Sequence, residues 1–146
     1  MGASGGVGES VRTATKTLTF TGAAGAGQAA SAITFFTVTG RVLIATLVAH
    51  CTTDLVSAGG GTLAVGVTGS TALFTAATLA TTIDATEFWM DGTPTAAGMA
   101  VPAALKDIAI AADIIGTVAI GDITGGVLEL VVEWLPLSAG SSVVAA

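Results

Sequence analysis

Glycines divide this sequence into short runs that are rich in β-branched residues. Threonine, valine and isoleucine make up about a third of the 146 residues, and many of the 20 glycines fall between the runs. β-Branched side chains favour the pleated, half-buried surface of a sheet, and glycine favours the turns between strands. The pattern therefore predicts an all-β fold of short strands.

The first run shows the strand pattern most clearly. Between residues 15 and 21, threonine occupies every second position, and Lys16, Leu18 and Phe20 stand between the threonines. Successive side chains of a strand point to opposite faces. This run is therefore predicted to be a strand with one hydroxyl face and one largely apolar face.

Further elements follow along the chain. The run 41–53 is too long and too apolar for an edge strand, and Asp91-Gly92-Thr93-Pro94 has the composition of a turn. Residues 71–80 lack glycine and place Leu73 and three alanines at helical spacing, which predicts a short helix. The other predicted strands are 33–39, 62–68, 83–90, 107–112, 114–120 and 127–135.

About eight short strands with frequent glycine turns predict an antiparallel β-sandwich of jelly-roll type with at most one short helix. The predicted domain is 15–138, preceded by an N-terminal arm, 1–14, and followed by a C-terminal tail, 139–146. The expected core positions include Leu18, Phe20, Ile33, Phe35, Leu43, Val65, Val118, Leu128 and Leu130.

Charge is scarce for a chain of this size. Ten acidic and four basic residues are present, 52% of the residues are apolar, and the mean hydropathy is +0.88. A compact 14.0 kDa chain exposes roughly 6,700 Å², or about one charge per 480 Å², less than half the density of an average domain. Such a surface predicts a subunit of a larger assembly, with a monomer coated by hydroxyl groups as the alternative.

The same composition argues against several function classes. A net charge of −6 with only four basic residues is unsuited to nucleic acid, which requires clustered lysine and arginine. The charge-free stretches 17–40 and 55–83 lack 18 consecutive apolar residues, so no membrane span is expected. The N-terminal residues have no signal-peptide pattern, and the single cysteine excludes an internal disulfide.

Catalytic residues are not predicted. His50 and Cys51 are the single residues of their kinds, and as neighbours on a strand they point to opposite faces, so they cannot form a nucleophile–base pair. One cysteine and one histidine are too few for a structural zinc site. We therefore predict no catalytic, cofactor-binding or metal-binding residue.

Acidic and aromatic residues leave two questions open. Asp84, Glu87 and Asp91 are close in sequence, and they either contribute to a calcium site or cap turns and face solvent. Trp89 and Trp134 are either core residues or interface anchors.

One strand face has a clearer meaning. Glu129 and Glu133 flank Val131 on one face of the predicted strand 127–135, and Trp134 lies on the other. The face with two acids is therefore expected to contact water or a basic partner.

Four segments of the chain carry a resemblance to a known family. They are Lys-Thr-Leu-Thr-Phe-Thr-Gly-Ala-Ala-Gly at 16–25, the run 36–56, Thr-Thr-Ile-Asp-Ala-Thr-Glu-Phe-Trp-Met-Asp-Gly-Thr-Pro at 81–94, and 113–138. In strand and turn pattern they resemble small structural proteins of tailed bacteriophages. The resemblance covers most of 16–138 and contains no catalytic signature.

The resemblance implies a non-enzymatic virion component, specifically a capsid decoration (cement) protein on the outer surface of the capsid. The expected partners are further copies in a homotrimer and the major capsid protein, with no nucleic acid, membrane or cofactor. The alternative is a head-fibre, tail or baseplate module that binds the host surface. Host-surface binding favours an exposed aromatic or polar patch. The chain has only seven aromatic residues and no tyrosine or asparagine, so its composition argues against such a patch.

Overall fold

The computed structural model describes residues 11–146, which form eleven strands and two 3-10 turns, Ala80–Thr82 and Ala103–Leu105, without an α-helix among them. The strands are β1 (Arg12–Thr19), β2 (Ala32–Thr39), β3 (Val42–Val56), β4 (Thr62–Val67), β5 (Ser70–Leu79), β6 (Glu87–Phe88), β7 (Thr95–Ala96), β8 (Ile108–Ile110), β9 (Ile114–Ala119), β10 (Gly125–Pro136) and β11 (Ser142–Ala145).

The strands form two antiparallel sheets. Sheet A has five strands in the order β11-β2-β9-β4-β5, and sheet B has six, in the order β1-β10-β3-β6-β7 with β8 also paired to β3. The long strand β3 lies between β10 on one side and β6 and β8 on the other, so it is central as expected.

The strand order is that of a jelly roll. The segment β6–β8 occupies one strand position beside β3, and β11 is an addition at the edge of sheet A. With eight main strands counted in chain order, sheet B then reads 1-8-3-6 and sheet A reads 2-7-4-5. Successive strands alternate between the two sheets except for strands 4 and 5, which form a hairpin in sheet A. This is the double Greek key of a jelly roll, so the predicted fold is confirmed.

The sixth strand position is broken, which the sequence did not reveal. Strands were predicted at 83–90 and 107–112, but only Glu87–Phe88 and Ile108–Ile110 are regular strand. Phe88 pairs with His50 in the middle of β3, whereas Ile108–Ile110 pairs near its beginning. The predicted turn between the two pieces is present, since the Asp91 carboxylate accepts a hydrogen bond from the Thr93 N–H at 2.7 Å.

The core lies between the two sheets and is almost entirely apolar. Every predicted core position is buried except one. Leu43 is only half-buried, because β3 buries Val42 and Ile44 and places Leu43 on the opposite side, across from Leu135. The register of β3 against β10 shifts by one residue beside Trp134, so the buried positions of β3 are even-numbered before the shift (Val42, Ile44) and odd-numbered after it, beginning with Leu47.

Side chains also close both open sides of the sandwich. On one side the fully buried Trp89 follows β6, and its Nε1–H donates to the Thr78 hydroxyl of β5 at 2.9 Å. On the other side, Lys16 of β1 donates to the main-chain oxygen of Ala146, beyond β11. Each contact joins an edge of one sheet to an edge of the other.

The predicted helix at 71–80 is wrong. These residues belong to β5, which pairs with β4. Alanine spacing suggested a helix, but a strand lets Phe74 and Thr78 enter the sandwich, where both are buried. Register shifts between β4 and β5 also bury Thr75 beside Phe74, which hides the two-residue alternation of a strand from the sequence.

The predicted domain limits also differ from the structure. Residues 142–145, placed in a C-terminal tail, form β11, which pairs with β2 and buries Val143. The predicted arm, 1–14, overlaps β1, which begins at Arg12, and its first ten residues lie outside the described part of the chain.

Candidate functional site

His50 and Cys51 face opposite sides of sheet B. Cys51 is fully buried, and its thiol donates to the Thr53 carbonyl at 3.1 Å. His50 is half-buried on the outer face, where its ring lies 4.8 Å from the ring of Phe88, measured between centroids. The two side chains therefore cannot exchange a proton directly.

The environment of Cys51 also keeps the thiol protonated. The pKa of Cys51 is raised from 9.0 to about 11, chiefly because the thiol is buried; the nearby carboxylates Asp54, Asp84 and Glu87 contribute smaller increases, and the backbone at Thr53 has a lowering effect. The thiolate is the nucleophilic form of cysteine. Cys51 consequently has the environment of an inert core thiol.

Two of the three carboxylates considered for calcium accept hydrogen bonds from the backbone. The Glu87 carboxylate accepts a hydrogen bond from the Asp84 N–H at 2.9 Å, and Asp91 caps the turn at Thr93. Within residues 11–146, no group of three or more histidine, cysteine or acidic residues is arranged to hold a metal ion. Glu87 and Asp91 therefore cap turns, whereas the Asp84 side chain is exposed.

Aromatic side chains contribute little to the surface. Trp89 is fully buried and Trp134 is 5% exposed, so both are core residues. Phe88 is half-buried, and the remaining phenylalanines are buried. The described part of the chain thus presents no exposed aromatic platform.

The outer face of β10 exposes its two acidic side chains to solvent, in agreement with the sequence. Glu129 and Glu133 are exposed on β10, and the exposed threonines of β1 lie beside them. Trp134 is buried on the opposite face, and the guanidinium carbon of the exposed Arg12 lies over its ring, 5.3 Å from the centroid.

Four connections meet at one end of the sandwich: 20–31, 57–61, 80–86 and 120–124. The N–H of Ile123 donates to the Gly27 carbonyl at 2.7 Å, and the N–H of Ala80 donates to the Gly61 carbonyl at 2.9 Å. We call this the acidic end. Asp54, Asp84, Glu87 and Asp122 lie at or beside it, and no lysine or arginine of the described residues does.

The connections at the opposite end carry both signs of charge, and we call it the mixed-charge end. Three of the four basic residues lie there, Arg12 at the start of β1, Arg41 between β2 and β3, and Lys106 before β8. The acids at this end are Asp107, Asp113 and Glu133.

Ile120 projects from the acidic end. It is 78% exposed, the most exposed of the large apolar side chains in the described residues, and its backbone has a φ of 73°. β-Branched residues seldom adopt this left-handed conformation, which is strained for them. The next residue, Gly121, packs so closely on Gly59 that a Cβ at position 121 would lie 2.8 Å from that backbone. A fixed loop therefore presents this isoleucine to solvent.

A shallow depression of about 200 Å³ lies at the mixed-charge end. Its apolar wall is formed by Ala109, Ile110, Ala111 and the half-exposed Leu137, and Arg41 lines its polar side. The loop is held in place because the Leu137 N–H donates to the Arg41 carbonyl at 2.9 Å. Neither this depression nor the exposure of Ile120 was predicted from the sequence, in which Ile120 ends the predicted strand 114–120.

None of the helical turns in residues 11–146 has the length and apolar character needed to cross a membrane. Comparison of the chain with protein-family models, curated proteins and solved structures found no match.

Proposed function

We propose that this protein is a non-enzymatic virion structural protein, a decoration (cement) protein that binds the outer face of a phage shell and stabilises it. In this proposal the protein is a homotrimer, and its partner is the major capsid protein. The observation that carries the proposal is a folded surface with very little charge. The pattern of segments that resembles tailed-phage structural proteins supplies the specific assignment.

The surface is as poor in charge as the composition predicts. The accessible surface is 6129 Å², and residues 11–146 contribute 13 charged side chains, or about 470 Å² for each. Ile120, Val56 and Leu79 expose 78%, 51% and 42% of their side chains at or near the acidic end. These side chains are the apolar groups that a partner protein could cover at this end of the molecule.

Fold and side-chain chemistry favour the shell over the host surface. Jelly rolls form both viral capsid proteins and lectins, so the fold by itself supports either activity. Host-surface binding favours exposed aromatic side chains, whereas Trp89 and Trp134 are buried here. The position on the outer side follows from charge, because a chain with net charge −6 is repelled by the packaged genome.

The stabilising effect would follow from mass action. A protein that binds the assembled shell, and not its separated subunits, shifts the equilibrium toward the assembled state. The test compares particles that contain this protein with particles from which it has been deleted, scored for genome release on heating or osmotic shock. We expect the deleted particles to open at lower temperature and purified protein to restore them. Equal robustness combined with loss of adsorption to the host would establish the head-fibre, tail or baseplate alternative.

Variants separate attachment from catalysis. His50→Ala and Cys51→Ala are expected to bind and stabilise shells as the unchanged protein does, since neither side chain belongs to the exposed apolar residues that we expect to contact a partner. Deletion of residues 1–8, which lie outside the described part of the chain, is expected to weaken attachment to the shell but to leave the melting temperature of the protein nearly unchanged. A catalytic turnover that disappears in folded His50→Ala or Cys51→Ala would contradict the proposal.

A further inference from the structure

We propose that copies of this protein associate end to end, with Ile120 of one copy inserted into the depression beside Arg41 and Leu137 of the next. The inference specifies the self-contact of the homotrimer proposed above and rests on that part of the proposal. It does not depend on attachment to a shell.

The first observation behind this proposal is the strained and exposed conformation of Ile120. Glycine or asparagine would adopt a φ of 73° at little cost, whereas isoleucine is strained there. Within the monomer the side chain gains almost nothing in return, because 78% of it is exposed. Covering this side chain in a partner would supply the missing burial.

The loop around Ile120 is already fixed in the shape that docking requires. The Asp122 carboxylate accepts a hydrogen bond from the Ala29 N–H at 2.8 Å, and the Gly121 N–H donates to the Ala119 carbonyl at 2.9 Å. A side chain held by an ordered loop loses little conformational entropy on binding. Ile120 is therefore preorganised for a complementary surface.

The depression at the other end matches Ile120 in volume and polarity. Its wall is made of alanine, isoleucine and leucine side chains, and its volume of about 200 Å³ accommodates a branched aliphatic side chain. Leu137, at its edge, is 48% exposed and would be covered by the same contact. An isoleucine of a second copy thus matches the chemistry of this site.

Charge favours the same orientation. The exposed carboxylate of Asp122 lies two residues beyond Ile120, and the exposed guanidinium of Arg41 lines the depression. End-to-end contact brings these opposite charges together, whereas contact between two acidic ends would bring eight carboxylates together without a basic residue of the described chain. Complementary charge selects the head-to-tail arrangement over a two-fold one.

A contact between two different surfaces is heterologous. Such contacts close into a ring when the rotation between copies permits it, and otherwise they propagate as open chains. A closed ring of three uses every Ile120 and every depression once. The rest of the interface, which has to approach the size of a specific protein contact, comes from the loops around the two sites.

This directionality gives a decisive experiment with two variants. Ile120→Asn removes the apolar side chain and suits the positive φ, and Ala109→Glu places a bulky negative group at an exposed position of the depression. Each variant alone is expected to weaken self-association about tenfold to a hundredfold, measured by sedimentation velocity over micromolar to millimolar concentrations. An equimolar mixture retains one intact contact per pair, so it is expected to form dimers and nothing larger.

Val144→Asn is the matched control, because Val144 is 52% exposed on β11, away from both sites. It is expected to associate as the unchanged protein does. Oligomers that survive both variants, or a mixture that forms no dimers, would overturn the end-to-end contact and leave self-association itself standing. An unchanged protein that stays monomeric throughout would overturn both this contact and the proposed homotrimer.

Discussion

The two ends of the sandwich are both built from connections between strands, yet they differ in charge and in packing. The acidic end has four carboxylates, no basic residue among those described, and loops that touch one another through backbone atoms. The mixed-charge end balances three bases with three acids, and its connections are mostly tight turns. In a jelly roll, every second connection lies at the same end of the sandwich. Because the acidic residues near one set of connections have no basic neighbours, the two ends of this molecule differ in net charge.

Glycines show the packing difference most directly. At the acidic end, a Cβ on Gly61 would lie 2.3 Å from the Gly121 carbonyl oxygen. At the mixed-charge end, Gly69 has a φ of 87° and nothing within 4 Å of the position of a Cβ. The first glycine is required by close approach and the second by its backbone conformation.

The largest effect is therefore expected for Gly61→Ala. Its methyl group would separate two loops that are in backbone contact, at a cost of about 3 kcal/mol in the free energy of unfolding. Gly69→Ala meets only backbone strain and is expected to cost about 1 kcal/mol. Urea denaturation of both variants measures the difference, and equal losses would show that the acidic end is not packed more tightly than the mixed-charge end.

Cys51 reports on the acidic end through its titration. Because burial raises the pKa of the folded thiol from 9.0 to about 11, the unfolded chain releases this proton first as the pH rises. Stability is then independent of this group below pH 9 and falls by about 2 kcal/mol between pH 9 and 11.

Cys51→Ala provides the reference for that prediction. Near neutral pH, the free energy of unfolding of this variant is expected to be about 1 kcal/mol lower because the missing thiol leaves a cavity. Between pH 9 and 11 the variant is expected to lack the loss of stability that the thiol causes. Asp84→Asn retains the thiol and removes one of the smaller causes of the raised pKa, so its decline is expected to begin at the same pH, which the unfolded thiol sets, and to be slightly smaller in total. Parallel curves for the unchanged protein and Cys51→Ala would contradict the raised pKa.

Local sequence patterns predicted the strands and most of the core because alternation and glycine turns are short-range features. Leu18 and Phe20 are buried as expected, and the turn at Asp91 is present. The misplaced helix at 71–80 lies where register shifts interrupt alternation. The strand Ser142–Ala145 was missed because its partner, β2, is about a hundred residues earlier, and no local pattern specifies that pairing.

The two ends were not predicted because their members are distant in sequence. Asp54, Asp84 and Asp122 come together only after the strands are assigned to two sheets. Once eight strands of a jelly roll are counted, however, alternate connections share an end, and the distribution of charge follows. Ile120 gave no such signal, because an isoleucine at the end of a β-branched run is typical of a strand.

Ile120→Asn is expected to stabilise the monomer by about 1 kcal/mol, since asparagine tolerates the positive φ that strains isoleucine. Thermal unfolding at dilute concentration, where association does not contribute, gives the measurement. Val144→Asn, a change at another exposed β-branched residue but one in a regular strand, is expected to bring no gain. A loss of stability at position 120 would mean that the isoleucine contributes to the fold of the acidic end itself.

The smallest effect is expected at the mixed-charge end, where Arg12 stacks on Trp134. The guanidinium carbon lies 5.3 Å from the ring centroid, and exposed cation–π pairs of this kind contribute about 0.5 kcal/mol. Arg12→Ala is expected to lose that amount in urea denaturation and to alter the fluorescence of Trp134, while Trp89 keeps its hydrogen bond to Thr78. Lys106→Ala removes an exposed base from the same end without an aromatic partner, so it separates stacking from charge. If the two variants lose equal stability, the contribution of Arg12 comes from its positive charge and not from its contact with the Trp134 ring.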